Sequence, residues 1–490
     1  MSILIYIVVL FSIILCLSSI SGNPFIDITC NITLGFISIL ILSYLIIKKF
    51  NLLINFITLW FGLQRFIGLI LASIPIITVE TFRGFFLIKE ILFIYIFIIL
   101  FSLFLLKKIK IKFQDADTFL ISFCIILICY VIFSNVNIWL TLLSLRRFIM
   151  LPLVYFIGRL AVVNIKQLKN SLNFTILFTY SICIFGLIDY FGARKYIYQM
   201  LFNVNEYFMK QALAGFIPIQ WASGNIMKGG IFTDYTWGEI PRFITTYIEP
   251  TTLGSFLAFS LLYSIFCSSF VSITKIKGIK HSFIKFIINF LVFLCIILTF
   301  SKGALMIILC GSSFILYFNQ KIPLLYRRTF LIGVYASIAL TITFLLLTNS
   351  GAAAHIDGLK TGILSGLEHP FGLGLGNAGN FTSFDDNAST ESVGRESMIG
   401  TMLGQIGLIG FIPYLMFIIT SISALVKGYI LNKNKNIELA KLSLATAGAF
   451  LGYTINSMFT DSASGVTGNF YYFLFLGLVI TQLHKPKERV

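Results

Sequence analysis

The sequence has 490 residues, of which 58% are apolar and 16% aromatic, and only 11% are charged. Soluble globular domains carry about 25% charged residues, so this composition cannot cover a water-exposed surface and excludes a soluble enzyme, a disordered chain and a nucleic-acid-binding domain. The 36 Lys and Arg outnumber the 19 Asp and Glu, giving a formal charge of +17, and such an excess is typical of the cytoplasmic loops of a polytopic membrane protein.

Fourteen apolar stretches approach the length that a helix needs to cross a bilayer, roughly 20 residues. They lie at 3–20, 32–47, 52–76, 91–106, 118–134, 148–164, 171–190, 250–270, 284–300, 303–318, 329–347, 398–426, 438–458 and 468–483. Several are short, so we expect an all-α, polytopic integral membrane helical bundle of about 12–14 transmembrane helices, forming one domain over residues 1–490. The first stretch has no Lys or Arg before it and no clear cleavage site, which indicates a retained span rather than a signal peptide.

Lysine and arginine recur in every second connection between these stretches, as expected for cytoplasmic loops, because both residues resist translocation. The connections that each hold at least two are 48–51, 107–117, 165–170, 271–283, 319–328, 427–437 and 484–490. This alternation predicts that both termini are cytoplasmic. Two outer segments, 191–249 and 348–397, have a length typical of functional loops. The first is too apolar for a disordered linker, and we expect one or two helices in the membrane interface plane.

Several outer positions carry charges that the loop rule does not explain, and charge near the hydrocarbon boundary is costly unless it is paired or functional. Arg146 and Arg147 stand just before the span at 148–164. They fit either a snorkelling pair at a helix end or a site for lipid phosphate. Arg242 and Glu249 precede a later span, where the free N–H groups of a helix start favour anions. An ion pair between them that closes the loop is the alternative.

Lys302 lies in a tight outer turn between two spans, where its ammonium either marks the membrane surface or clamps a phosphate. The segment LEHPFGLGLGNAGNF contains His369 and Asn377. Four of its residues, within a stretch of eight, are glycines. Such a segment either lets the backbone approach a ligand closely or forms a floppy loop. A lone His is more often structural than catalytic, so His369 ranks behind the charged residues.

Arg395 and Glu396 come directly before an apolar stretch, which places the Glu396 carboxylate in the first turn of a spanning helix. Because the helix dipole favours an anion there, Glu396 is either a helix cap or a functional carboxylate. The spacing of Gly400, Gly404 and Gly407 predicts close packing of this helix start on a neighbouring helix.

The outer cations Arg147, Arg242, Lys302 and Arg395, together with Glu396, suit a lipid diphosphate. Guanidinium groups match phosphate oxygens bidentately, and preorganised cations stabilise a diphosphate as it leaves. A carboxylate can accept the proton of an attacking hydroxyl. The sequence has no evident His/Asp cluster or CxxC pair for a metal, and we expect no cofactor. Pattern and spacing alone lead to an anionic-lipid site at the outer face.

Four motifs follow one another in an order that resembles the O-antigen polymerase and O-antigen ligase family. They are RFITTYIEPTTLGSF, TFSKGALMII, HPFGLGLGNAGNF and ESMIGTMLGQIGLIGF, and the resemblance covers about residues 240–425, with LRRFIMLPLVYF upstream. It implies a metal-independent glycosyltransferase of the bacterial inner membrane. Its substrates would be oligosaccharides on undecaprenyl diphosphate at the periplasmic face, and a chain-length regulator is an implied partner.

The resemblance also implies roles for single residues. Lys302 stands where the family usually has Arg in Ser-Arg-Gly, which keeps the charge and loses the bidentate fork. Glu396 stands near the place where ligases usually carry His, which favours a polymerase. Catalytic roles are expected for Glu396, Arg242 and Arg395, diphosphate binding for Arg147, Lys302 and Arg146, and further contacts for Glu249, His369 and Asn377.

Two other functions fit the sequence. A ligase would move a finished glycan onto a lipid A core or a protein. A flippase for lipid-linked oligosaccharides would carry charges in the middle of its spans. Arg65, in the third span, is the clearest such charge, while most other charges lie at span ends or in loops.

Overall fold

The computed structural model describes residues 40–75, 77–133, 138–193, 202–215, 242–267, 279–319, 323, 328, 352–380 and 393–484. These ranges contain helices and their connections and no β-strand, which confirms the all-α prediction for them. The predicted spans at 3–20 and 329–347, and most of the one at 32–47, lie outside the described residues.

The helices agree closely with most of the other predicted spans. In chain order they are α1 (Phe50–Ala72), α2 (Val79–Leu105), α3 (Asp115–Phe133), α4 (Ile138–Leu160), α5 (Ile165–Ile188), α6 (Val204–Leu213), α7 (Pro250–Phe266), α8 (Ile279–Leu298), α9 (Lys302–Phe318), α10 (Ala352–Glu368), α11 (Met398–Asn432), α12 (Ile437–Met458) and α13 (Val466–Leu483). Residues 40–48 are also helical. A π-helical turn, Asp189–Ala193, follows α5, and a 3-10 turn, Asp461–Ser464, separates α12 from α13.

Seven of the described helices, α1 to α5, α11 and α13, are long and apolar enough to cross a membrane, and α7, α8 and α9 are shorter apolar helices. Large apolar side chains on them are exposed, as at Ile91, Leu105 and Ile132. Such surfaces suit contact with lipid hydrocarbon, where backbone groups must be paired within the helix. The chain is therefore a multi-pass, all-helical membrane protein.

The chain divides into two compact units. The first unit comprises residues 1–109 and 161–250, and among its described helices are α1, α2, α5 and α6. The second unit comprises residues 110–160 and 251–490, with α3, α4 and α8 to α13, and α7 from its second residue onward. The core of the first unit is largely aromatic, with Trp60, Phe82, Phe85 and Tyr207 buried in one cluster.

The helix α6 confirms helical structure within the long segment at 191–249. Its C-terminal end is tied to α1 and α2 by polar contacts. Lys210 Nζ donates to the Ala72 carbonyl at the end of α1 (3.2 Å), and Arg83 Nε on α2 donates to the Ala214 carbonyl (3.0 Å). These bonds use carbonyls that a helix end leaves free. Placement of α6 in the membrane interface stays a prediction.

In the second unit, pairs of helices approach each other through glycine. A Cβ added to Gly311 on α9 would lie 2.8 Å from the Gly448 carbonyl oxygen on α12, and one added to Gly158 on α4 would lie 2.4 Å from the Leu474 oxygen on α13. Small residues at such crossings let backbones approach closely in a membrane. The short loops between these helices then gather at the ends of the bundle.

Three predicted spans have wrong boundaries. The helix α2 begins at Val79, twelve residues before the predicted start at 91. The helix α4 begins at Ile138, ten residues before the predicted start at 148, so Arg146 and Arg147 lie inside a helix rather than ahead of one. Polar residues in the first two turns lower the local hydropathy, but the helix continues through them.

The predicted span at 398–426 is interrupted, because Gly407 has non-helical angles (φ 64°, ψ −175°) within α11. The part after the break, 408–432, covers roughly 37 Å at 1.5 Å per residue. That length alone suffices to cross a hydrocarbon core of about 30 Å. The segment 398–406 is thus an additional short helix that joins the outer loop structure.

Candidate functional site

The turn that joins α12 to α13 collects several sequence-predicted segments of the second unit. We call residues 459–465, with the 3-10 turn Asp461–Ser464 at their centre, the α12–α13 turn. Segments from α4, from the glycine-rich loop and from the start of α11 all bond to this turn or to the last residue of α12.

The Arg147 guanidinium on α4 binds the α12–α13 turn. Its Nη2 lies 2.5 Å from Asp461 Oδ1 and donates to the Asp461 carbonyl (2.8 Å), and its Nε donates to Ser464 Oγ. Arg147 and Asp461 are largely buried, with side chains 17% and 12% exposed. Because Asp461 balances its charge, Arg147 positions the turn, while Arg146 lies half-buried beside it on α4.

Asp461 is a functional candidate that the sequence analysis missed. The available signal was a carboxylate between two predicted spans, at 438–458 and 468–483, on the side where cations are few. Its second oxygen, Oδ2, accepts a hydrogen bond from Asn380 Nδ2 at 2.8 Å. Both carboxylate oxygens are therefore engaged, and the residue links α4, its own turn and the glycine-rich loop.

The glycine-rich loop 369–380 is packed against α11 and is not floppy. Leu373 N–H donates to the Gly404 carbonyl (2.8 Å), and Gln405 Nε2 donates to the Ala378 carbonyl (2.6 Å). Gly372, at φ +74°, sits where an added Cβ would lie 2.3 Å from the Gln405 carbonyl oxygen. Only glycine combines this left-handed backbone with so close an approach.

The two further candidates in this loop are exposed. The His369 backbone N–H donates to the Ser365 carbonyl (2.8 Å) at the end of α10, and its side chain is exposed. Asn377 Nδ2 donates to the Leu373 carbonyl (2.8 Å) and so closes its own loop. Asn380, and not Asn377, connects the loop to the α12–α13 turn.

Lys302 is the first residue of α9, and its side chain is exposed. Ser301 caps the helix through Oγ, which accepts from Ala304 N–H at 3.3 Å. The next residue, Gly303, lies so close to α12 that an added Cβ would be 2.1 Å from Asn456 Oδ1. The packing of Gly303 therefore holds the start of α9, which carries Lys302, close to the end of α12.

Glu396 does not lie in the first turn of α11, as the sequence predicted, because the helix starts two residues later. Ser397 is the cap, with Oγ accepting from Gly400 N–H (2.9 Å) and donating to the Met458 carbonyl (2.7 Å). Glu396 has φ +61°, and its carboxylate is 46% exposed. Arg395 is half-buried next to it.

His355, near the start of α10, faces Glu396. The sequence analysis did not identify it as a candidate. Its Nδ1 lies 3.1 Å from the Glu396 carbonyl oxygen and 3.7 Å from the carboxylate Oε2. A single His in a long loop is a weak sequence signal. His355 and Glu396 come together only because α10 packs on α11.

Three helices begin after a strained residue, each within one of the recognised motifs. Ile248 (φ +59°), Phe300 (φ +48°) and Glu396 (φ +61°) each stand two residues before the first residue of a helix, namely α7, α9 or α11. Left-handed angles are unusual for residues other than glycine, most of all for a β-branched Ile. Such strain clusters at functional sites, where the surroundings hold it in place.

Arg242 and Glu249 belong to the first unit. Arg242 is half-buried in an extended stretch before α7. Glu249 Oε2 lies 2.5 Å from Arg65 Nη1, and each side chain is 24% exposed. The mid-span cation Arg65 thus has a carboxylate partner. Beside them burial raises the pKa of the Tyr207 hydroxyl.

Within the described ranges, no group of three or more His, Cys, Asp or Glu is placed to hold a metal ion. No protein-family model matches the chain, and no curated protein matches it significantly. The resemblance of the four motifs therefore stays an expectation, to be weighed with the geometry of the second unit.

Proposed function

We propose that the chain is a polysaccharide polymerase, a membrane glycosyltransferase that joins oligosaccharide repeat units carried on undecaprenyl diphosphate. One observation carries the proposal. Four of the five segments that resemble the family meet at the end of α12 and the turn that follows it. Arg147, Asn380, Gly303 and Ser397 represent these segments, and they contact Asp461, Asn456 or Met458.

Exposed charge at this place suits a diphosphate. Lys302 is exposed at the start of α9, and Arg395 lies half-buried two residues before Ser397, the cap of α11. Lys302 and Arg395 are the cations of the second unit that we assign to the diphosphate. Preorganised cations stabilise the charge that develops on a leaving diphosphate.

The reaction needs three changes. The acceptor sugar hydroxyl attacks the anomeric carbon of the donor, the bond from that carbon to the diphosphate oxygen breaks, and the diphosphate keeps the electron pair. A base near the acceptor takes the hydroxyl proton. Glu396 is the candidate carboxylate at this face, and its strained backbone holds it outside the helix.

The setting follows from the proposal. The substrate carries a long isoprenoid chain that must stay in the bilayer, which fits a site at the end of a bundle of membrane helices. We assign the site to the periplasmic face of the bacterial inner membrane, because the connections on the opposite side carry most of the Lys and Arg.

The test is a surface-glycan gel of a deletion strain complemented with the wild type, with Lys302→Ala or with Arg395→Ala. We expect the wild type to give a ladder and both variants to collapse it to a single repeat. Lys435→Ala, at an exposed cation between α11 and α12, is the control and should keep the ladder.

Two other gel patterns would overturn the proposal. Long polymer that accumulates on the lipid carrier without surface glycan would indicate a ligase. An unchanged ladder in the deletion strain would mean that the chain does not polymerise repeats.

A further inference from the structure

The hydrogen bond of His355 fixes the tautomer of its ring. A backbone carbonyl only accepts, so the 3.1 Å contact between Nδ1 and the Glu396 oxygen requires the proton on Nδ1. In the neutral ring Nε2 is then unprotonated. Among the described residues no hydrogen bond reaches Nε2, and the His355 side chain is 29% exposed.

Close backbone packing holds this pair in register. A Cβ added to Gly358 would lie 1.6 Å from the Arg395 carbonyl oxygen, and one on Gly362 would lie 2.4 Å from Gly400 Cα. With glycine at both positions, α10 packs directly on the turn that carries Glu396. The His355 ring, one turn before Gly358, then faces that turn.

The turn itself is pinned from two sides. Gly394 N–H donates to Thr361 Oγ1 (3.1 Å), and Thr401 Oγ1 donates to the Gly394 carbonyl (2.8 Å). These bonds join α10 and α11 across the turn and fix the left-handed conformation of Glu396. The ring and its carboxylate are thereby preorganised before substrate binds.

The Glu396 carboxylate completes the arrangement. Its Oε2 is 3.7 Å from Nδ1, on the side of the ring that carries the proton. A carboxylate in this place stabilises the imidazolium that forms when Nε2 takes a proton, as in other base–orienter pairs. An imidazole is also better matched to proton uptake near neutral pH than a carboxylate.

We infer that His355 Nε2, rather than the Glu396 carboxylate, takes the proton of the attacking sugar hydroxyl, and that Glu396 is its positioning residue. The inference rests on the proposed function. The acceptor oxygen forms the bond to the anomeric carbon as its proton moves to Nε2, and the diphosphate leaves with the electron pair. The imidazolium then releases the proton to water or to the diphosphate.

The experiment uses the full-length protein in liposomes and, as probe, lipid-linked repeat units extracted from the deletion strain. We expect His355→Gln to lower kcat by about 100- to 10,000-fold with little change in KM. His355→Ala should regain activity with added imidazole. Glu396→Gln should lower kcat, Glu396→Asp should restore part of it, and imidazole should rescue neither.

His484→Gln is the matched control, because His484 Nδ1 also faces a backbone carbonyl, that of Ile480, at 2.9 Å, and forms no ion pair with a carboxylate of the described residues. It should retain the wild-type rate. The Tm of every variant is measured. If a His355 substitution lowers Tm, imidazole rescue of His355→Ala supports the inference, and absence of rescue overturns it.

The remaining outcomes separate the two proposals. If the wild type elongates the probe and His355→Gln does so at nearly the same rate, the inference is overturned. The proposal that the chain is a polymerase is then unaffected. A wild type that does not elongate the probe overturns the proposed function and the inference that rests on it.

Discussion

The helix α4 carries two arginines that pair with aspartates, Arg147 near its middle and Arg159 near its end, and the two pairs differ in kind. Arg147 and Arg159 are separated by roughly 18 Å of helix. Arg159 pairs with Asp117 on α3, where the side chains are 1% and 2% exposed. Arg147 pairs with Asp461, where the corresponding values are 17% and 12%.

The Arg159 pair is saturated by protein groups. Its Nε and Nη2 bind both oxygens of Asp117 (2.8 and 2.7 Å), and Nη1 donates to Thr481 Oγ1 (2.9 Å). Tyr155 adds a bond to Asp117 Oδ1 at 2.7 Å. A bidentate, buried pair with its remaining donors used has no room for a ligand, and it fastens α3, α4 and α13 together.

The Arg147 pair lies among strained turns and exposed cations, and its partner Asp461 also holds the glycine-rich loop. The comparison teaches that a buried charge in a membrane helix is not by itself a functional signal. The saturation and surroundings of the pair decide between a structural fastening and part of a site. Four substitutions test this difference, from the largest expected effect to the smallest.

Replacing Arg159 should cost the most stability. Arg159→Met leaves the Asp117 carboxylate buried without its partner, and we expect a loss of about 3–5 kcal/mol. Thermal unfolding in detergent measures it. The double variant Arg159→Met with Asp117→Leu removes both charges and should recover most of the loss. A single variant as stable as the wild type would contradict the structural role.

Asp461→Asn should weaken stability less and activity more. The amide cannot balance the Arg147 charge, and hydrogen bonds to charged groups contribute about 1.5–3 kcal/mol. We expect chain growth to fall more than tenfold in a protein that still folds, as read from the glycan ladder and from Tm. Asp115→Asn, at an exposed position of α3, is the control and should leave the ladder intact.

Tyr155→Phe removes one hydrogen bond from the saturated pair. We expect a loss of about 1 kcal/mol and an unchanged glycan ladder. Unfolding and gel measurements on the same preparation check both expectations. A shortened ladder at wild-type Tm would show that the Arg159 pair takes part in the reaction after all.

Asn380→Ala should have the smallest effect on stability, about 0.5–1 kcal/mol, because Asp461 keeps its stronger partner Arg147. Chain growth should nevertheless fall severalfold, since the glycine-rich loop loses its link to the α12–α13 turn. Asn432→Ala is the matched control, because its Nδ2 donates to the Gly428 carbonyl at 2.8 Å near the end of α11. Equal ladders from the two variants would contradict the role of Asn380.

Local features made most of the helices predictable. The bounds of α3, α9 and α13 fall within three residues of the predicted spans, because an apolar run of sufficient length has few alternatives to a helix in a membrane. The tight turn before Lys302 and the close packing of Gly400 are likewise as predicted, since both depend on neighbours in sequence or on residue size.

The candidate site was only partly predictable. The sequence marks Lys302, Arg395 and Glu396 as unusual, but it does not pair Arg147 with Asp461, 314 residues away. From the sequence alone, any of several carboxylates could balance the charge of Arg147. The sequence analysis also placed Glu396 inside the helix. In the structure Ser397 is the cap instead, and its bond to the Met458 carbonyl holds it in that position.

The sequence by itself determined that this is an all-helical, multi-pass membrane protein with an uneven distribution of basic residues, because composition and apolar run length act locally. Only the tertiary structure decided which charges are saturated, which strained residues stand ahead of the helices α7, α9 and α11, and that His355 faces Glu396. Those outcomes depend on how closely glycine lets distant helices approach, and the positions of the partners follow from packing over the whole unit.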